Sequence, residues 1–233
     1  MSPKPMLTED YLIRQINLAI AALAKILGLK TAGQFQAALY EIDQLLEQLI
    51  GLRSYMIKNL SDEGILSILS NAEGVDTDRL LIVADLIKHE GDILAEKKYA
   101  EESAGNYARA LNFFLEVQLS GGPRYLDPPD AQIEEMLIQL TSSEFPAETL
   151  FNLYLYFEQK GEYARSEEML SRVAGITGWQ EDLIKEHEDF YGRLLERPDQ
   201  EIELGGLSRF EVERKVEQLL AMAIEDNRLD DGD

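Results

Sequence analysis

The 233-residue chain has no cysteine. That excludes disulfides, a thiolate nucleophile and thiolate-bound zinc, and it fits a reducing compartment, so a cytoplasmic protein is expected. Histidine is nearly as scarce: His89 and His187 are the only two. Neither has a glutamate three residues before it, so the Glu-x-x-His pattern of di-iron helical bundles is missing, and His-Glu-x-x-His does not occur. His187, in Lys-Glu-His-Glu-Asp, reads as a partly buried helix residue, because one imidazole among helical acids is not a metal site. The glycine loops that cradle phosphates and the Gly-x-Ser-x-Gly elbow of hydrolases are also absent. No catalytic constellation, metal or other cofactor is expected. The single tryptophan, Trp179, follows Gly178 at a helix junction and reads as a packing residue.

Long apolar runs are lacking. The stretch from Ile16 to Leu29 is interrupted by Asn17 and Lys25, short of the roughly 20 residues that span a bilayer. Glu9 and Asp10 precede it, where a signal peptide would carry positive charge, so no cleaved leader is expected. Positive charge is in short supply throughout, with 22 Lys and Arg against 44 Asp and Glu and a net charge of −22. Nucleic acid and anionic membrane surfaces are therefore not expected as partners.

The charge is unevenly placed. Residues 1–60 hold five acids and six bases, whereas residues 61–233 hold 39 acids and 16 bases. In one reading the acids solvate helix faces and the neutral quarter is ordinary surface. In the other, the neutral quarter packs against another chain, as a homodimer through residues 7–50.

What is present is helical periodicity. Thr8 is placed to cap a first helix whose residues Leu12, Ile16, Ala19, Leu23 and Ile26 form one apolar stripe. Ile13, Ile20 and Leu27 form a second stripe. A helix apolar on more than one face is buried inside a fold or between chains. A turn at Gly28–Gly33 and a second helix through Phe35, Leu39, Ile42 and Leu46 follow. Beyond Ser61 come a short helix, a break at 71–76 and a long helix capped by Asp76 or Thr77. The clearest loop is Ser120–Asp130, with Asp127–Pro128 at the start of the next helix. Pro146 opens a further helix that Gly161 ends, with an antiparallel partner from Tyr163 to Val173. Another runs from about Gln180 to Glu196. Residues 197–206 read as a polar linker. Ser208 and Glu211 form a capping box for a last helix, and the acidic tail from Glu225 reads as disordered. Three divisions result: residues 1–60, 61–196 and 197–233.

A local pattern recurs: glycine, any residue, aromatic, two residues, small residue. It occurs at Gly33/Phe35/Ala38, Gly105/Tyr107/Ala110 and Gly161/Tyr163/Ser166. Glycine allows a tight turn, the aromatic seals it and the small residue lets helices approach. On these residues the chain resembles the tetratricopeptide repeat. The best unit is 147–180, with Leu150, Leu153, Phe157, Gly161, Tyr163, Ser166, Leu170 and Val173 in register and Tyr154 where glycine or alanine is usual. A second unit spans about 84–117, through Gly91, Leu94, Ser103, Tyr107, Ala110 and Leu111. Its register puts the turn near Lys98 and makes Gly105 a close-packing residue inside a helix. The competing register turns at Gly105 and explains fewer positions. A weaker third unit spans about 19–52, and an insertion with one extra helix separates 117 from 147. The order of segments, from EDYLIRQI to GGLSRFEVE, also resembles an uncharacterised bacterial family known only as a domain of unknown function, which implies a shared fold and no assigned activity.

The repeat resemblance implies an all-α fold of tetratricopeptide-like antiparallel hairpins, an α-α superhelix with non-repeat insertions. It also implies a concave groove lined by the first helix of each hairpin. In register these residues are Asp85, Lys88, His89 and Asp92 in one unit, and Glu148, Phe151, Leu155 and Glu158 in the other. Such grooves accept an extended peptide or a helix. The lysine and asparagine clamp that some relatives use on a terminal carboxylate is missing, and Asp92 stands where a neutral donor is needed, so a basic or amphipathic segment is the expected partner. Whether the helix near 130–141 fills the groove stays open. The expected role is a non-enzymatic protein-interaction or scaffold module. Two alternatives are a small-molecule sensor or enzyme with its site between helical units, suggested by the aromatic cluster Phe151, Tyr154, Tyr156 and Phe157 and by the two histidines, and a purely structural homodimer.

Overall fold

The periodic segments fold as helices because their apolar residues recur at helical spacing and their ends carry stop and start signals. In the computed structural model, residues 6–140 and 145–230 are described, with backbone alone for 6–12 and 220–230. The order of elements is α1 (Met6–Thr31), α2 (Phe35–Ile50), α3 (Ser54–Ile57), α4 (Asp62–Leu69), β1 (Ser70–Asn71), β2 (Gly74–Val75), α5 (Thr77–Glu96), α6 (Ala100–Leu119), α7 (Asp130–Gln139), α8 (Ala147–Lys160), α9 (Tyr163–Thr177), α10 (Glu181–Leu195), α11 (Asp199–Leu204) and α12 (Arg209–Asp230). The two short strands pair antiparallel, Ser70 with Val75 and Asn71 with Gly74. The chain divides into two compact units, Met1–Ser143 and Glu144–Asp233. The divisions expected at residues 60 and 196 both fall inside these units.

Three helix pairs, α1–α2, α5–α6 and α8–α9, share one kind of turn. Gly33, Lys98 and Gly161 all have positive φ, at 70°, 65° and 74°. In each turn the next residue donates its N–H five residues back: Gln34 to Leu29, Tyr99 to Leu94 and Glu162 to Phe157, all at 2.9 Å. This closure satisfies orphan carbonyls at the helix end, and a left-handed residue makes it possible. Five residues after each left-handed residue stands a small buried one: Ala38, Ser103 and Ser166. The Ser103 hydroxyl donates to the Gly91 carbonyl and the Ser166 hydroxyl to the Tyr154 carbonyl, each at 2.9 Å and twelve residues back.

The turn near Lys98 is thus present, and the register that turns at Gly105 is not. Gly105 lies within α6, but a Cβ there would meet nothing within 4 Å, so it is not the close-packing residue expected. That role belongs to Gly91, whose Cβ would lie 2.9 Å from the Tyr107 ring.

In unit 1, α5 is enclosed on nearly every side, with Leu80 to Ala84, Leu86 and Ile87 all buried. A helix in this position needs apolar residues all round, which is why its sequence shows no single stripe. Its start is set by Asp76, whose Oδ1 accepts the Arg79 N–H at 3.1 Å. Asp78, 3% exposed, accepts the N–H groups of Arg124 and Tyr125 at 3.1 and 2.9 Å and so pins the loop after α6. Arg109 of α6 donates to the carbonyls of Ile57 and Leu60 and to Asp62, holding the α3–α4 segment. The helix after this loop begins at Asp130, not at Asp127–Pro128.

In unit 2, residues 197–206 are not a plain linker. They hold α11, bury Ile202, and place the Gly205 carbonyl as acceptor for the Ala164 N–H at 2.9 Å. A Cβ at Gly205 would lie 2.1 Å from the Tyr163 ring, so only glycine fits. The capping box forms as read: Glu211 accepts the Ser208 N–H at 2.8 Å, and the Glu211 N–H donates to the Ser208 hydroxyl at 3.2 Å. α12 continues to Asp230, so the tail read as disordered begins as helix, and residues 231–233 lie outside the described residues. α1 is already helical at Met6, so Thr8 falls within the helix it was expected to cap; its side chain lies outside the described residues.

Candidate functional site

The eight groove residues fall in separate units, four on α5 and four on α8. On α5, Lys88 and His89 are buried and Asp85 and Asp92 half-buried. Asp92 is the hub. Its Oδ1 accepts the Tyr107 hydroxyl at 3.0 Å. Its Oδ2 is in direct contact with the Lys30 ammonium, 3.4 Å from that of Lys88 and 3.3 Å from His89 Nδ1. Lys30 Nζ also lies 3.3 Å from His89 Nδ1, which can accept from Lys30 or donate to Asp92, not both. Lys88 reaches Glu135 of α7 at 2.7 Å. On the face of α5 expected to line the groove, Asp92 and Lys88 are thus engaged by side chains of α1, α6 and α7.

The electrostatics follow from this crowding. Burial alone would raise the Asp92 carboxyl, but hydrogen bonds from His89 and Lys30 and the charges of both lysines hold it well below the usual carboxylate range. Lys88 loses solvation on burial yet is raised overall by Glu135 and Asp92. Tyr107 is pushed up to about 12 by burial and the Asp92 charge. Asp85 differs. Burial pushes it up to about 6, His89 and Lys88 only partly pull it back, and Glu135 adds repulsion. Near neutral pH this carboxyl can gain or lose a proton, whereas Asp92 is locked as an anion.

On α8, Glu148 is exposed, and Phe151 and Leu155 are half-buried. Glu158 is engaged by Arg193 of α10 through two hydrogen bonds, 2.7 and 3.0 Å. Arg193 also donates to the Tyr154 hydroxyl at 2.7 Å, and that hydroxyl donates to Glu186 at 2.5 Å. The Glu158 hydrogen bond, above all, raises the Arg193 guanidinium further, and burial with Glu186 raises Tyr154. Tyr154, Tyr156 and Phe157 are core residues, at 0–1% exposure, so these rings of the aromatic cluster are packing, not a ligand platform. His187 is buried as well: Nδ1 lies 2.8 Å from the Leu183 carbonyl, Nε2 is buried without a partner, and its ring packs at a 44° tilt against half-exposed Trp179, centroids 4.8 Å apart. Burial lowers its pKa.

Sequence reading missed Lys30 and Glu135 in unit 1 and Arg193 and Glu186 in unit 2. They pair with residues 62, 47, 35 and 32 positions away, and no local spacing signals such partners. Tyr107 was marked by the recurring pattern, but as a hairpin seal and not as a ligand of Asp92.

Among the described residues no group of three or more His, Asp or Glu could hold a metal ion, and no helix is long and apolar enough to cross a membrane. The fold defines a predominantly α-helical protein built from packed helix pairs. The chain belongs to the family described as "Family of unknown function (DUF6483)", which it matches over residues 6–223. No curated protein and no solved structure gives a significant match.

Proposed function

We propose that this chain is a non-enzymatic protein-interaction or scaffold module with tetratricopeptide-like helix pairs. The three shared turns, with a small buried residue at the same place after each, support the repeat-like reading. The observation that carries the interaction reading is the outer face of α1. Its first apolar stripe is directed inward, with Ile16 and Ile26 buried, while Ile13, Ile20 and Leu27 of the second stripe are exposed. An apolar face left outside on a long helix marks a docking surface. The polar face of α5 is largely taken up by internal ion pairs, and Glu158 of α8 is held by Arg193, which moves the reading from the groove residues to α1.

The test is a crosslinked pull-down from host lysate with wild type beside an Ile20→Lys, Leu27→Lys variant. Both positions are exposed, so the variant keeps its fold, checked by its melting curve. Retention of a protein or of the chain itself by wild type, lost in the variant, is the expected result. Equal retention by both would move the surface elsewhere, and no retention by either would overturn the module reading. Asp85 favours a second reading, a small-molecule sensor or enzyme at the α5 cluster. For that reading, a metabolite that raises the melting temperature of wild type but not of Asp85→Asn is the expected signature.

A further inference from the structure

On the outer face of α1, residues 13, 17, 20, 24 and 27 follow one another at spacings of four and three. These spacings mark one face of an α-helix, and the first stripe of α1 has the same ones. Ile13, Ile20 and Leu27 are 37%, 46% and 44% exposed, and Leu18 on the flank is 54% exposed. Asn17 and Ala24 complete the row and are exposed too. Beside the row, Ala21 and Gly28 are small and exposed, and a Cβ at Gly28 would meet nothing within 4 Å, so a second helix has room to approach.

Three features specify the occupant. From residue 11 to residue 40 the chain has no acid and three bases, while its net charge is −22. Two copies meeting elsewhere bring acidic surfaces together, and two copies meeting at α1 do not. Lys25, on this helix, is already neutralised by Glu41 at 2.7 Å. Asn17 is the one polar residue of the row. A side-chain amide that both donates and accepts is best satisfied by an identical amide across a two-fold axis, as in parallel helix pairs.

We propose that a second copy of this chain docks on α1, parallel to it, with each residue of the row facing its own counterpart. The proposal rests on the interaction-module reading and names its partner. The row from 13 to 27 is about 21 Å long at 1.5 Å per residue. A contact of that length covers roughly 400–500 Å² per copy, below the ~800 Å² per partner of a standard interface. The helices are already folded, so the ordering cost is confined to side chains of the row. The dimer should accordingly be weak.

Sedimentation of the full chain from about 1 μM to 1 mM tests this, with the mass expected to rise from 26.4 kDa toward twice that value. Ile20→Lys should abolish the rise, as should Ala24→Glu if the first variant loses its fold. Ile176→Lys, at an exposed position in unit 2, should leave it unchanged. In a chain without cysteine, Ile13→Cys should oxidise to a covalent dimer. A monomer at every concentration, a dimer indifferent to both α1 changes, or an Ile13→Cys chain that never crosslinks would each overturn the proposal. A host protein captured by monomeric wild type and lost with Ile20→Lys would overturn it too, while leaving the interaction-module reading standing.

Discussion

Replacing Asp85 with asparagine removes the one carboxylate of the α5 cluster that its surroundings disfavour. Its carboxyl is pushed from 3.8 to about 6. A shift of that size corresponds to about 3 kcal/mol against the charged form, at ~1.36 kcal/mol per pH unit. Asp85 is only half-buried, and solvent screening reduces this to about 1–2 kcal/mol. The folded pKa lies above the unfolded one, so the folded state binds more protons between pH 3.8 and 6. The contribution of Asp85 to stability is therefore full below about 3.8 and is lost as pH rises through 6. Asp85→Asn keeps the shape and abolishes the titration. At pH 7 the variant should be more stable than wild type by about 1–2 kcal/mol, with the gap closing as pH falls from 6 toward 4. Urea unfolding followed by circular dichroism from pH 4 to 8 measures both quantities. A variant less stable than wild type at pH 7, or a gap that does not change with pH, would refute the reasoning, because Lys88 and His89 would then be stabilising the anion outright.

Gly91→Ala gains about 1 kcal/mol of helix propensity but forces a methyl within 2.9 Å of the Tyr107 ring, an overpacking that costs ~1–3 kcal/mol. A net loss is expected by urea unfolding, and it should shrink in a Tyr107→Leu background; equal losses in both backgrounds would show that the ring is not the obstacle. His187 has a folded pKa below 6.5, so its contribution to stability is full above pH 6.5 and is lost as pH falls from there through the folded pKa. Trp179, packed against that ring, should report the protonation as a fluorescence change centred below pH 6.5, absent in His187→Phe.

Much of the helical framework was legible locally. Asp76, Ser61 and Ser208 stand just ahead of their helices and accept N–H groups there, a signal confined to three or four residues. Gly33 and Gly161 mark turns because left-handed backbone favours glycine. Lys98 adopts the same conformation without that signature, and only the register of its flanking residues pointed to it. α11 was read as linker because its burial rests on a single residue, Ile202, and on a glycine that fits under Tyr163.

Helicity, a first helix apolar on two faces and the placement of 39 of the 44 acids beyond residue 60 can all be read from the chain alone. These are properties of spacing and composition, and they need no knowledge of neighbours. Only the tertiary structure decided which stripe of α1 stays outside, since Ile16 and Ile20 are chemically alike and packing against α2 and α5 separates them. Only it decided that Lys88, His89 and Asp92 close on Lys30 and Glu135 instead of lining an open groove. Electrostatic partners are chosen by proximity in space, and the chain brings those residues together from 47 and 62 positions apart.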